Sequence, residues 1–113
     1  SKLEGVLPHP NSKGTANAYH LYVVQDDPKS VFGRRDAVFA GMRARGIGVN
    51  VHYLPVHLNP FYRKRFGTRP GLCPAAEAAF GRILSLPMFP RMTGREVQST
   101  IHALQATVRA LSH

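Results

Sequence analysis

The side chains best placed for chemistry are His52, Tyr53 and His57, in the run VHYLPVH at residues 51–57. An imidazole can donate, accept or move a proton near neutral pH, or ligate a metal, and a phenol adds a further donor and acceptor. Pro55 turns the chain between the two histidines, and a strand end beside a turn is a common place for working side chains. Two His five apart across a proline do not form the one-face pair of a helical zinc site. No Cys or acid lies close by in sequence, so the pattern argues against a metal. Cys73, the single cysteine, precedes Pro74 in a turn where nothing in the sequence lowers a thiol pKa, which argues against a Cys–His nucleophile. A lone Cys also rules out an internal disulfide framework and fits a reducing compartment. On composition alone, the plainest reading of each His is a hydrogen-bonded, partly buried ring without a ligand.

A second set of side chains follows at once. Phe61, Tyr62, Arg63, Lys64, Arg65, Phe66 and Arg69 mix rings and cations, which are the materials for stacking on bases and neutralising phosphates. The net charge of +9, from fifteen Lys and Arg against six acids, points the same way. The basic residues are scattered, however, and on a short helix Tyr62 and Phe66, four apart, are expected to face the core while Arg63 and Lys64 face water. A solvated basic surface is therefore preferred to a nucleic-acid interface.

The elements that must position these groups can be read from pattern. Residues 1–17, with Pro8, Pro10, Asn11, Ser12, Gly14 and Asn17, read as a connector to something before it. Residues 18–25 read as a strand covered on both faces. Residues 36–45 read as a helix with an apolar stripe of Val38, Phe39 and Met42, stopped by Gly46. Ile47, Val49 and Val51 alternate with Gly48, Asn50 and His52, as in a half-buried strand. Residues 59–66 open as a short helix, with Asn59 at the N-cap and Pro60 at the first position. Pro74 opens a helix over residues 75–84 with Ala76, Ala79, Phe80 and Ile83 buried, and residues 85–89 are extended. Thr93 and Glu96 form a capping box ahead of a long helix whose expected stripe is Val97, Ile101, Leu104, Val108 and Leu111. Few strands and several helices predict an α+β fold, a small sheet with helices packed on one face.

At 113 residues the chain bounds at most one domain with a small core. No apolar run is long enough to cross a bilayer, and the N-terminus has no apolar segment of a signal peptide. The chain begins at Ser1 rather than Met, which reads as a cut start.

Taken together, eight runs carry a resemblance: AYHLY at residues 18–22, GI at 46–47, VHYLPVH at 51–57, PFY at 60–62, FG at 66–67, PAAE at 74–77, LSLP at 84–87 and FPRMT at 89–93. In order and spacing, from residue 18 to about residue 110, the chain resembles the small C-terminal domain of the DegT/StrS-type sugar aminotransferases. The HYLPVH-x-x-PFY-x-x-x-FG form looks most like the branch that aminates a 4-keto sugar nucleotide on the way to pseudaminic acid or related sugars.

The resemblance implies a complete enzyme with the fold of the aspartate aminotransferase superfamily. A large domain would hold pyridoxal phosphate (PLP) on a Schiff-base lysine, and an amino group would pass from glutamate to a 4-keto-6-deoxy sugar nucleotide. It implies residues 18–113 as the small domain, with residues 1–17 leading from a missing N-terminal PLP domain. It also implies a cytoplasmic homodimer active in surface-polysaccharide biosynthesis, with no membrane partner. Carried over position by position, His52, Tyr53, His57 and Tyr62 are substrate-binding residues near the cleft, in a hydrogen-bonding rather than proton-abstracting role. Lys2, Lys13, Lys29 and Lys64 do not sit in a context like the family's lysine motif, and the glycine-rich segment after that lysine is missing. No catalytic, cofactor-binding or metal residue is therefore expected here, and the chain is expected to be inactive alone. The rival readings are a stand-alone interaction domain that kept the fold without the chemistry, and a basic nucleic-acid-binding module.

Overall fold

The computed structural model describes residues 5–27 and 35–111. Three strands, β1 (Val6–Pro8), β2 (Tyr22–Asp26) and β3 (Ile83–Leu86), form one sheet in the order β1-β2-β3. Both pairings are antiparallel, with Leu7 opposite Gln25 and Val23 opposite Ser85. Four helices complete the fold: α1 (Arg35–Ala44), α2 (Pro60–Phe66), α3 (Pro74–Phe80) and α4 (Gly94–Leu111), with a 3₁₀ turn at Val56–Leu58. This is the expected α+β architecture.

The core lies between the sheet and two helices. Val24 and Leu84 come from neighbouring strands, Val38 and Met42 from α1, and Ala103, Leu104 and Val108 from α4, with Val49 filling the edge. Met42 is wholly removed from water, and full burial of a side chain of this size stabilises by about 1.5–3 kcal/mol. Gly46 stops α1 at φ +78°. Its N–H donates to the Arg43 carbonyl and the Ile47 N–H donates to the Met42 carbonyl, the paired bonds of a Schellman stop. At the start of α4 the Glu96 N–H donates to Thr93 Oγ1 and the Thr93 N–H donates to Glu96 Oε2, so the capping box forms.

The structure departs from the sequence reading in several places. The stretch read as a connector contributes β1, an edge strand whose terminal Pro8 has no N–H to leave unpaired. The strand expected from residue 18 starts at Tyr22, because Tyr19 takes a left-handed φ of +47°. The strand expected over residues 47–52 is reduced to one bridge, with Asn50 and Ser85 exchanging both backbone bonds; Val49 is buried but Val51 is not. The helix expected to reach Leu84 ends at Phe80, and Ile83 and Leu84 join β3 instead. No residue of α2 is buried: Tyr62 and Phe66 stack on each other at 5.9 Å rather than entering the core. The Asn59 side chain makes no capping bond, leaving Pro60 to open that helix.

The stripe of α4 is also rotated. Leu104 and Val108 are buried as expected, but Val97 and Ile101 are exposed, and Thr100, Ala103 and Thr107 take the inner face. The two threonines satisfy their hydroxyls locally, Thr100 donating to the Glu96 carbonyl and Thr107 to the Ala103 carbonyl. Small residues are needed there because α1 passes close by. A Cβ added at Gly41 would stand 2.5 Å from Thr107 Cγ2.

Gly41→Ala should therefore destabilise by about 1–3 kcal/mol through overpacking, even though alanine favours a helix by about 1 kcal/mol. The added change Thr107→Ser, which removes the clashing methyl, should restore most of that loss in a double-mutant cycle read by denaturant unfolding. Simple additivity would show that the two helices do not meet at this point.

Candidate functional site

The segment after Asn50 leaves the sheet edge and carries the candidate residues. His52 stays attached to the sheet: its Nε2 lies 2.9 Å from the hydroxyl oxygen of Ser85, a buried residue in the middle of β3. Tyr53, next in sequence, is 98% exposed. Leu54 and Val56 are exposed as well, so this part of the surface presents a phenol among apolar side chains.

His57 behaves differently. It lies in the 3₁₀ turn, and only 7% of the residue is exposed. Its Nε2 stands 3.2 Å from Glu77 Oε2 in α3. That is ion-pair range when the ring carries both protons, but the approach falls outside hydrogen-bond geometry, so Nε2 has no hydrogen-bond partner. The same carboxylate accepts the Gly71 N–H on both oxygens, at 3.0 and 2.9 Å. On the other side of the turn, the Thr68 hydroxyl donates to the His57 carbonyl at 2.7 Å. Glu77 and Thr68 thus tie the turn to the loop that follows α2 and to the first turns of α3. Sequence reading named Glu77 only within the PAAE run and gave it no role. A signal was available, since Glu77 is the one acid between Asp36 and Glu96, a stretch rich in Arg and Lys.

Tyr62 lies on α2, directly after the 3₁₀ turn, and is 38% exposed. Phe61 meets it edge-on at 5.2 Å and Phe66 stacks on its other side. His57 and Tyr62 therefore belong to one turn-helix unit, whereas His52 is anchored to the sheet and Tyr53 projects between them in sequence. The two imidazoles engage different partners, Ser85 and Glu77.

Among the described residues, no group of three His, Cys, Asp or Glu side chains could hold a metal ion, and no helix is long and apolar enough to cross a membrane. Among the described residues no lysine fits a Schiff base to PLP. A Schiff-base lysine needs an enclosed position with the cofactor ring held against it, and Lys13 and Lys64 are both exposed. Lys2 and Lys29 lie outside the described residues.

Glu77 gives the site a measurable pH signature. The Gly71 N–H bond, followed by the neighbouring His57, holds its carboxyl below the ordinary value of 4.5, with partial desolvation opposing them. A depressed folded-state pKa means that the unfolded chain takes up the proton first. The contribution is complete above 4.5 and is lost as the pH falls through the lower folded value. Glu77→Gln should lower Tm at neutral pH, and its gap to the wild type should close on acidification below 4.5. A gap independent of pH would show that the carboxylate charge plays no part.

The fold and the site can be set beside known proteins. Residues 1–105 match the model of the DegT/DnrJ/EryC1/StrS aminotransferase family. The spore coat polysaccharide biosynthesis protein SpsC of Bacillus subtilis is 36% identical over 82% of this chain and 24% of its own length. The aminotransferase TlmJ from Streptoalloteichus hindustanus superposes with a TM-score of 0.81 at 26% identity, over 98% of this chain and 28% of that one. Helicobacter pylori PseC, an aminotransferase involved in the biosynthesis of pseudoaminic acid, gives 0.71 at 27% identity over 80% of this chain and 24% of its own. The chain thus spans about a quarter of the length of the proteins it matches. With the family model covering nearly all of it and sugar aminotransferases sharing its fold, the chain belongs to the DegT/DnrJ/EryC1/StrS aminotransferase family.

Proposed function

We propose that this chain is the small-domain part of a PLP-dependent sugar-nucleotide aminotransferase of the cytoplasm, and that it does not transfer an amino group by itself. The observation that carries this reading is the near-complete superposition on about a quarter of TlmJ. The sequence resemblance implies a 4-keto-6-deoxy sugar nucleotide as the acceptor and glutamate as the donor, and the likeness to PseC, an aminotransferase involved in the biosynthesis of pseudoaminic acid, supports that branch. In the complete enzyme PLP supplies the electron sink for amino transfer. The lysine and the glycine-rich segment that hold it belong to an N-terminal domain outside these residues, in a homodimer.

The role of this chain is to bind and orient. His52, held by Ser85, is positioned to hydrogen-bond the sugar or the amino donor. Tyr53 and Tyr62 offer phenol groups to the same ligand, and His57, beside Glu77, adds an imidazole to the set. The exposed apolar groove bounded by Leu86, Pro87, Met88, Met92, Val97 and Ile101, about 340 Å³ in volume, is surface that the rest of the enzyme would cover.

Incubation of the chain with PLP, borohydride reduction and mass spectrometry should give only sparse pyridoxyl label scattered over exposed amines and no stoichiometric adduct on a single lysine, and glutamate plus keto-sugar nucleotide should give no amino sugar. A stoichiometric adduct together with glutamate-dependent turnover would overturn the proposal. Joined to its large domain, His52→Ala should cut kcat/KM by up to about tenfold, the loss of one hydrogen bond to a neutral ligand. Unchanged kinetics would remove His52 from the site.

A further inference from the structure

From residue 50 to residue 83 a single residue is buried, and it is a histidine. His57 anchors the 3₁₀ turn that leads into α2, a helix with no buried residue of its own. We propose that His57 and Glu77 form a proton-operated latch: with both ring nitrogens protonated, Glu77 holds the turn–helix unit that carries Tyr62 against α3, and loss of one proton loosens that hold. Glu77 is thereby a positioning residue. Its bearing on the ligand rests on the function proposed above, whereas the latch rests on contacts made within this chain alone.

An anchor for an exposed segment does not require a titratable ring. A leucine would bury as well without desolvating a polar atom, and apolar residues often replace a buried ion pair with no loss of stability. The ring at position 57 also sits where one protonation state suits it best. Its Nε2 is enclosed, has no hydrogen-bond partner, and stands 3.2 Å from Glu77 Oε2. With the proton on Nδ1, the Nε2 lone pair faces a carboxylate oxygen, and both are acceptors. With the proton on Nε2, the ring is neutral and the approach is too oblique for a good hydrogen bond. The doubly protonated ring makes the contact an ion pair, whose attraction is set by distance.

An imidazole moves between these states from about pH 5 to about pH 8. Glu77 stays charged across that window, because the Gly71 N–H, followed by His57, holds its carboxyl below the ordinary value of 4.5 against partial desolvation. The latch is therefore closed on the acid side of the window and opens as the pH rises. The other titratable groups around the turn are His52, which meets Ser85, and Tyr53 before it, Tyr62, Arg63, Lys64 and Arg65 on α2, and Arg69 and Cys73 in the loop. All of these except His52 are exposed, and among the described residues Glu77 alone is in ion-pair range of His57. The same carboxylate accepts the Gly71 N–H, and Thr68 holds the His57 carbonyl, so the turn, the loop and α3 share one fastening.

The test is hydrogen exchange by NMR on the full chain, with the His57 ring titrated in the same samples. The Leu58 and Asn59 amides, which donate to the Pro55 and Val56 carbonyls, should lose about tenfold in protection as His57 gives up its proton, after correction for the intrinsic rate. Protection at Met42 and Leu104 should not change. In Glu77→Gln the two turn amides should exchange fast on both sides of the titration. Protection that ignores the His57 titration, or that follows it equally in Glu77→Gln, would overturn the proposal. In the chain joined to its large domain, Glu77→Gln should raise KM for the sugar nucleotide about tenfold near pH 6 and leave it about equal to wild type near pH 8.5, with kcat little changed. The same KM ratio at both pH values would show a structural role without the proton and would also overturn it. A joined protein that transfers no amino group, with the exchange behaviour as expected, would overturn the function proposed above and leave the latch standing.

Discussion

The backbone pairing around Ser85 joins the sheet to the candidate site. Ser85 lies opposite Val23 on one side and exchanges both backbone bonds with Asn50 on the other, so the central ladder and the departing edge segment meet at one residue. Its hydroxyl then reaches His52. The neighbour Leu84 is buried in the core, which fixes β3 against α1 and α4. A one-residue slip in the register of β3 would turn Ser85 toward the core and Leu84 away from it. The position of His52 is thus set by hydrophobic packing on the opposite face of the same strand.

Between Tyr53 and Phe80 the chain has little core to lean on. Neither α2 nor α3 contains a fully buried residue. Order in this region comes from polar ties instead: the Gly71 N–H on the Glu77 carboxylate, Glu77 beside His57, and Thr68 on the His57 carbonyl. Such ties fix geometry more than they add stability, since each is worth little net of water. Exposed rings at Tyr53, Phe61 and Phe66, carried on a unit held by a few directional bonds, agree with the proposal that a further domain covers this surface.

How much of this could be read beforehand depended on whether the signal was local. The capping box at Thr93 and Glu96, the Gly46 stop and the proline-opened helices are local devices, and they formed where the sequence placed them. β1 was hidden because Val6 and Leu7 become a strand only by pairing with β2. The rotation of α4 was hidden because Thr100 and Thr107 count as polar in any stripe, yet each returns its hydroxyl to the preceding turn and packs as a small apolar group. The resemblance singles out His52, Tyr53, His57 and Tyr62 as candidates, but it carries no information on the contacts that hold them. His57 and Glu77 are twenty positions apart, and neither periodicity nor capping links them. Tyr19 was placed inside a strand because its residue type favours one, and the amides of Asn11 and Asn17 override that preference.

The central claim is that the chain is one part of a larger aminotransferase whose cofactor site lies elsewhere. The most direct measurement is the coding sequence immediately upstream of the Ser1 codon. The account predicts a continuous or frameshifted reading frame that encodes a lysine followed by a glycine-rich segment. An unrelated upstream region, with a start site of its own at this chain, would contradict it and leave a free-standing domain that kept the family fold.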